Sequence, residues 1–141
     1  MASSKEVSPR TISNMAANVT TFTSCEALQA RLAKLKSHQR AVVMVGASWG
    51  PASKRISSHF LNLSILNVGE PNLFFFDIDV ATEERTDGNG VEQQYNVHAF
   101  PCFLWFKKQE KLGDFFGGSR SRLDQIIDSL VTELRAEPDV P

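Results

Sequence analysis

The chain has 141 residues, of which 42% are hydrophobic, so it can form one compact domain with a real core. Its formal net charge is −1, and it lacks the basic excess expected of a protein that neutralises nucleic-acid phosphates. Its apolar runs are far shorter than the about 20 residues that a membrane helix needs. These properties argue against a nucleic-acid partner and against a membrane protein.

The two ends of the chain are predicted to be tails around a single domain. Residues 1–17 are rich in Ser and Ala and have no apolar segment typical of a signal peptide. We therefore predict a disordered N-terminal tail and a cytoplasmic location. Residues 18–135 are predicted to form the folded domain, and residues 136–141 a short C-terminal tail.

The cysteines and histidines give no sign of a metal centre. Cys25 and Cys102 lie too far apart in sequence for a zinc site or a redox motif. His38 and His59 have no neighbours at metal-ligand spacing. No metal site and no cofactor are predicted, and both thiols are expected to be free in a reducing compartment.

Short apolar runs alternate with helical patterns, which indicates an α/β fold. Residues 19–22 are predicted to form the first strand. Thr23 and Glu26 then resemble a capping box at the start of a helix. The apolar face of this helix is marked by Leu28, Leu32 and Leu35.

The second strand and the second helix follow directly. The continuous apolar run at 41–47 is typical of a buried central strand. Gly50 suits a helix cap and Pro51 a first helical position. The apolar face of this helix is marked by Ile56, Phe60, Leu63 and Leu66. Residues 72–79 are predicted to form the third strand.

The rest of the chain predicts a helix, a hairpin and a closing helix. Residues 82–95 have helical content at both ends, interrupted by a turn signal at 87–90. Strands at 103–106 and 111–116 are joined by a polar turn at 107–110. The closing helix is marked by Leu123, Ile126, Ile127, Leu130 and Leu134.

Three segments resemble signatures of the thioredoxin family, in the same order as in that family. Residues 49–54 (WGPASK) resemble the active-site segment Trp-Cys-Gly-Pro-Cys-Lys. Residues 97–101 (VHAFP) resemble the Val-x-x-Ile-Pro segment, whose proline is cis. Residues 114–118 (DFFGG) resemble the strand end and the glycine before the last helix. The resemblance covers about residues 19–133. It implies a thioredoxin fold, in which a mixed β-sheet is flanked by helices and Pro101 is a cis-proline before an inner strand.

The resemblance also implies a loss of chemistry. Thioredoxins use one cysteine at a helix N-terminus to attack a disulfide and a second to resolve the mixed disulfide. In this chain Gly50 and Ser53 stand at those two positions, with Pro51 and Ala52 between them. The family's buried Asp, five residues before the Trp, is replaced by Met44. We therefore expect no disulfide reductase activity.

The features that shape the family's peptide-binding groove remain in the sequence. The corresponding residues here are Trp49, Gly50, Ala99, Phe100, Pro101 and Gly117. In lacking the dithiol, the chain resembles the thioredoxin-like domain of multidomain monothiol glutaredoxins. We predict a protein-binding or adaptor module whose partner is another protein or an extended peptide segment.

An alternative function depends on Cys102, which directly follows Pro101 and is expected near the active-site surface. A reactive thiol there would make the chain a single-cysteine redox protein or sensor with a role in cell redox homeostasis. The other interpretation of Cys102 is a small apolar residue of a strand.

Overall fold

The computed structural model describes residues 18–84 and 90–136. The predicted tail at 1–17, most of the predicted turn at 87–90, and residues 137–141 lie outside the described residues. The strands are β1 (Val19–Phe22), β2 (Arg40–Gly46), β3 (Leu73–Asp79), β4 (Cys102–Lys107) and β5 (Glu110–Phe116). The helices are α1 (Cys25–Ala33), α2 (Pro51–Leu66), α3 (Val91–Tyr95) and α4 (Arg120–Ala136).

The strands form one mixed sheet in the order β1-β3-β2-β4-β5. β1, β3 and β2 run parallel, whereas β4 pairs antiparallel with β2, and β5 antiparallel with β4. Every residue of the central strand β2 is buried, as the apolar run at 41–47 predicts, although the strand begins and ends one residue earlier.

Helices cover both faces of this sheet. α1 and α3 pack on one face through residues such as Leu28, Leu32 and Val91. α2 and α4 pack on the other face through residues such as Phe60 and Ile127. None of the helices in the described residues is both long enough and apolar enough to cross a membrane.

The start of α1 differs from the prediction. The helix is capped by Ser24, whose Oγ accepts a hydrogen bond from the N–H of Ala27 at 3.1 Å, and not by Thr23. Ser24 has extended backbone and forms a β-bridge with Glu84, whose N–H also donates to the carbonyl oxygen of Thr23, so the helix begins only after this pairing. α1 ends at Ala33, before Leu35, although the side chain of Leu35 is buried.

Three further expectations are corrected in the second half of the chain. Residues 82–84 form a turn and a β-bridge to Ser24 and are not helical, whereas Val91–Tyr95, at the other end of the predicted 82–95 segment, is helical. Leu66 ends α2 and is 77% exposed, so it does not belong to the buried face of this helix. The closing helix includes Ala136, which was predicted to begin the C-terminal tail.

Candidate functional site

Positions 50 and 53 both lie at the start of α2, directly after the central strand. Gly50 is the helix cap, and its N–H donates to the carbonyl oxygen of Ala47 at 2.8 Å. Pro51 follows at the first helical position, where its missing N–H costs no hydrogen bond. The sequence correctly predicts this cap and this helix start.

Gly50 and Ser53 face each other but carry no thiol. A Cβ added to Gly50 would lie 3.8 Å from Oγ of Ser53. Ser53 is only 4% exposed, and its Oγ accepts a hydrogen bond from the N–H of Ala47 at 3.2 Å. The hydroxyl therefore satisfies a buried backbone donor, and neither position can supply a sulfur for a disulfide.

Met44 is buried in the core on the α2 face of the sheet, as its position in the central strand predicts. The structure also places an acid beside it that the sequence analysis missed. Asp77 on β3 is the register partner of Met44. Met44, Asp77 and Ser53 line one cleft of about 350 Å³ between the sheet and the start of α2. The position on β2 where the family has its buried acid therefore lies beside an acid on the adjacent strand β3.

The environment of Asp77 disfavours a charged carboxylate. Its Oδ1 is buried and has no hydrogen-bond partner among the described residues. Burial raises the pKa of Asp77 above its ordinary value, hydrogen bonding by Thr21 opposes this rise, and the charge of Asp79 adds to it. The sequence could have indicated this position. Side chains alternate between the two faces of a strand, so Asp77 lies on the same face of β3 as the buried residues Leu73 and Phe75.

The predicted groove residues meet at one end of the molecule, and we call this surface the Trp49 groove (Trp49, Gly50, Ala99, Phe100, Pro101 and Gly117). The Trp49 and Phe100 rings pack edge to face, with centroids 6.2 Å apart. Trp49 is 66% exposed, so most of its side chain faces solvent, whereas Phe100 is partly buried against the core. The Phe100–Pro101 peptide bond is cis. The N–H of Gly117 donates to the carbonyl oxygen of Pro101 at 2.7 Å, which ties the end of β5 to the loop before β4.

A second aromatic pair lies next to this groove and was not predicted. The His98 ring packs on the Phe116 ring with centroids 4.6 Å apart. Phe116 is 37% exposed and directly precedes Gly117. The apolar surface around the groove therefore extends along the end of β5.

Cys102 lies in the strand core and not at the surface. It is the first residue of β4, its exposed fraction is 0%, and it belongs to the same core cluster as Cys25. Burial raises the pKa of the Cys102 thiol to about 12, the charge of Asp114 contributes to this rise, and Lys111 opposes it. This environment favours the interpretation of Cys102 as a small core residue over that of a reactive thiol.

Comparison with known proteins identifies relatives of the chain. No family model matches the sequence. Human thioredoxin is 33% identical over 90 residues, which cover 64% of this chain and 78% of that protein. Thioredoxin-2 of Pyricularia oryzae is 33% identical over 95 residues, which cover 67% of this chain and 51% of that protein.

Solved structures show the same fold at lower sequence identity. A poplar thioredoxin h mutant superposes with a TM-score of 0.69 at 20% identity, covering 89% of this chain and 87% of the poplar chain. Malassezia sympodialis thioredoxin superposes with a TM-score of 0.66 at 19% identity, covering 84% and 92% of the two chains. The mixed sheet flanked by helices is therefore the thioredoxin fold, as the sequence predicts. Together with the human relative, this fold establishes that the chain belongs to the thioredoxin-like family.

Proposed function

We propose that this protein has no dithiol oxidoreductase activity and uses the Trp49 groove to bind an extended peptide segment of another protein. The observation that carries the proposal is the pair Gly50 and Ser53 at the two cysteine positions. Reducing a disulfide consumes two electrons, which the family draws from two thiols as they become a disulfide. A glycine hydrogen and a serine hydroxyl cannot donate those electrons.

The relatives are named thioredoxins, and their names favour a redox function for this chain. We propose a different function because Gly50 and Ser53 stand at the two cysteine positions. The helix start that would acidify an attacking thiol is present, but the thiol itself is replaced by Gly50. Ser53 is committed to a buried hydrogen bond with Ala47.

The alternative through Cys102 has weak support. The thiolate is the reactive form of cysteine, and a pKa of about 12 leaves almost none of it at neutral pH. The zero exposure of Cys102 also keeps a second sulfur from approaching. We therefore favour peptide binding over a single-cysteine redox role.

The exposed aromatic surface supports binding. A Trp that is 66% exposed and packed against Phe100 is a residue type and an arrangement typical of interface anchors. The adjoining ring of Phe116 adds to the apolar patch. Such a surface gains free energy when a partner covers it.

Selection from a random decapeptide display library tests the binding proposal. The wild-type protein is expected to enrich peptides that the Trp49→Ala variant does not retain. Leu66→Ala is the matched control, because it removes a side chain that is 77% exposed far from the groove, at the other end of α2. If Trp49→Ala retained the same peptides as the wild type, the groove would not be the binding surface.

A further inference from the structure

A polar cleft continues from the Trp49 groove along the start of α4. This cleft, which we call the Arg122 cleft, has a volume of about 490 Å³. It is lined by Asp114, Phe115, Phe116, Ser119, Ser121, Arg122 and Gln125. The N–H of Gly117 donates to the carbonyl oxygen of Pro101, and Ser119, two residues further on, lines the cleft, so the cleft lies beside the groove at the start of α4.

The Arg122 cleft contains hydrogen-bond donors on the Ser119 and Ser121 hydroxyls, the Gln125 amide and the Arg122 guanidinium, beside one carboxylate, Asp114. Ser119 caps the start of α4 by accepting from the N–H of Arg122 at 3.2 Å, and its Oγ lies 3.3 Å from that of Ser121. The first turn of α4 contains no acidic residue, so no side chain neutralises the positive end of its helix dipole. Hydroxyls, a guanidinium and a helix N-terminus together suit a ligand that only accepts hydrogen bonds.

The acidic side chains near the cleft already have side-chain hydrogen-bond partners. Asp114 lies 2.7 Å from Nζ of Lys111, and Asp124 lies 2.7 Å from Nε2 of His59. The Arg122 guanidinium lies over the Phe115 ring at 5.5 Å from its centroid. Within the described residues, no carboxylate forms an ion pair with Arg122, so this cation is available to a partner.

The start of α2 adds to the positive character of this end of the molecule. A Cβ at Gly118 would lie 3.6 Å from the carbonyl oxygen of Ala52, which brings the starts of α2 and α4 together. The first turn of α2 also has no acidic residue, and Lys54 and Arg120 are exposed on the two helices. Asp79 lines a cleft together with Lys54 and opposes its charge, so the positive character is strongest at Arg120 and Arg122 on the start of α4.

We infer that the partner of the Trp49 groove is an extended acidic peptide segment. The inference rests on the proposed function and adds the chemistry of the partner. An apolar side chain of the peptide packs against Trp49 and Phe100. An Asp or Glu side chain of the same peptide enters the Arg122 cleft, where a guanidinium can bind a carboxylate through two hydrogen bonds. Charge complementarity selects this occupant over a neutral or basic segment.

The composition of the peptides selected from the decapeptide library tests this inference. Peptides whose capture requires Trp49 are expected to be enriched in Asp and Glu relative to the unselected library. Arg122→Glu is expected to reverse this preference towards Lys and Arg, an effect that loss of folding cannot produce. Circular dichroism of the variant provides a separate check of its fold.

Affinity measurements on one selected acidic peptide complete the test. Replacing its acidic residue by the matching amide is expected to raise Kd about fivefold at physiological salt, as for a partly exposed ion pair. Arg122→Gln should raise Kd for the acidic peptide by a similar factor. Lys36→Gln is the matched control, because it removes the same charge at the opposite end of the sheet, just before β2.

The outcomes separate this inference from the proposed function. Trp49-dependent peptides without acidic enrichment, or an Arg122→Gln variant that binds the acidic peptide as tightly as Lys36→Gln does, would overturn the inference alone. A selection that yields no Trp49-dependent peptide would overturn both proposals.

Discussion

At the scale of single residues, positions 50 and 53 at the start of α2 lie close together, but their atoms have a structural role. Position 50 carries no side chain, and Ser53 Oγ accepts the Ala47 N–H inside the protein. Replacing the serine would leave that buried donor unsatisfied, which costs about 1–3 kcal/mol. Ser53 therefore has a structural role that requires no redox chemistry.

Cys102 should resist alkylation in the folded protein. In a Cys25→Ser variant, which leaves Cys102 as the only thiol, iodoacetamide should label the denatured chain rapidly and the native chain hardly at all at pH 8. The reason is burial, together with a pKa of about 12. Mass spectrometry of the labelled protein measures both rates. Rapid labelling of the native protein would instead support the single-cysteine redox alternative.

Asp77 should make the stability of the protein depend on pH. Its pKa in the folded state lies above its ordinary value of 3.8, so the folded state holds the proton more tightly than the unfolded state. Stability is therefore favoured at low pH and falls as pH rises past 3.8 towards and through the folded-state pKa. Asp79 and Lys54 line the same cleft and are the charged groups that share this environment.

The variant Asp77→Asn should consequently have a larger free energy of unfolding than the wild type at pH 7. Near pH 3 the two proteins should be about equally stable. Urea unfolding at the two pH values measures this difference. Asp128→Asn on the exposed side of α4 is the control and should change the free energy of unfolding little at either pH. A loss of stability in Asp77→Asn at pH 7 would indicate that the carboxylate makes favourable contacts in the folded protein.

At the scale of elements, the sequence predicts the helices and strands whose pattern lies within one segment. It does not predict contacts between segments that are distant in sequence. The buried run of β2 and the apolar spacing of α4 carry their own signals, and both elements form as expected. The start of α1 lies beside a pairing that the sequence pattern does not contain, because Glu84 bonds to Thr23 and bridges to Ser24 from about 60 positions away in sequence. Asp77 was missed in a similar way, because its relation to Met44 exists only in the register of two strands.

The hairpin of β4 and β5 contains a close contact that should be sensitive to mutation. A Cβ at Gly113 would lie 2.4 Å from Cζ2 of Trp105. Gly113→Ala should therefore destabilise the protein by about 1–3 kcal/mol through overpacking. Denaturant unfolding measures this cost. Gly69→Ala is the control, because a Cβ there meets no atom within 4 Å. Equal stability of the two variants would mean that the indole ring moves aside without cost.

At the scale of the whole molecule, our proposal is that the thioredoxin fold is kept without the dithiol chemistry. The described sheet and helices match those of thioredoxins, and the sequence identity with human thioredoxin is 33% over the matched residues. The fold was predictable because its elements follow one another in a recognisable order. The proposed binding role is harder to predict from the sequence, because the exposed aromatic surface and the Arg122 cleft form only where several elements meet at one end of the folded molecule.

The reduction of insulin disulfides driven by dithiothreitol tests the central claim most directly. The account predicts that adding this protein leaves the rate at that of dithiothreitol alone, because Gly50 and Ser53 supply no sulfur. A thioredoxin with an intact Cys-Gly-Pro-Cys segment serves as the positive control. A rate above the dithiothreitol background, proportional to the concentration of this protein, would contradict the account.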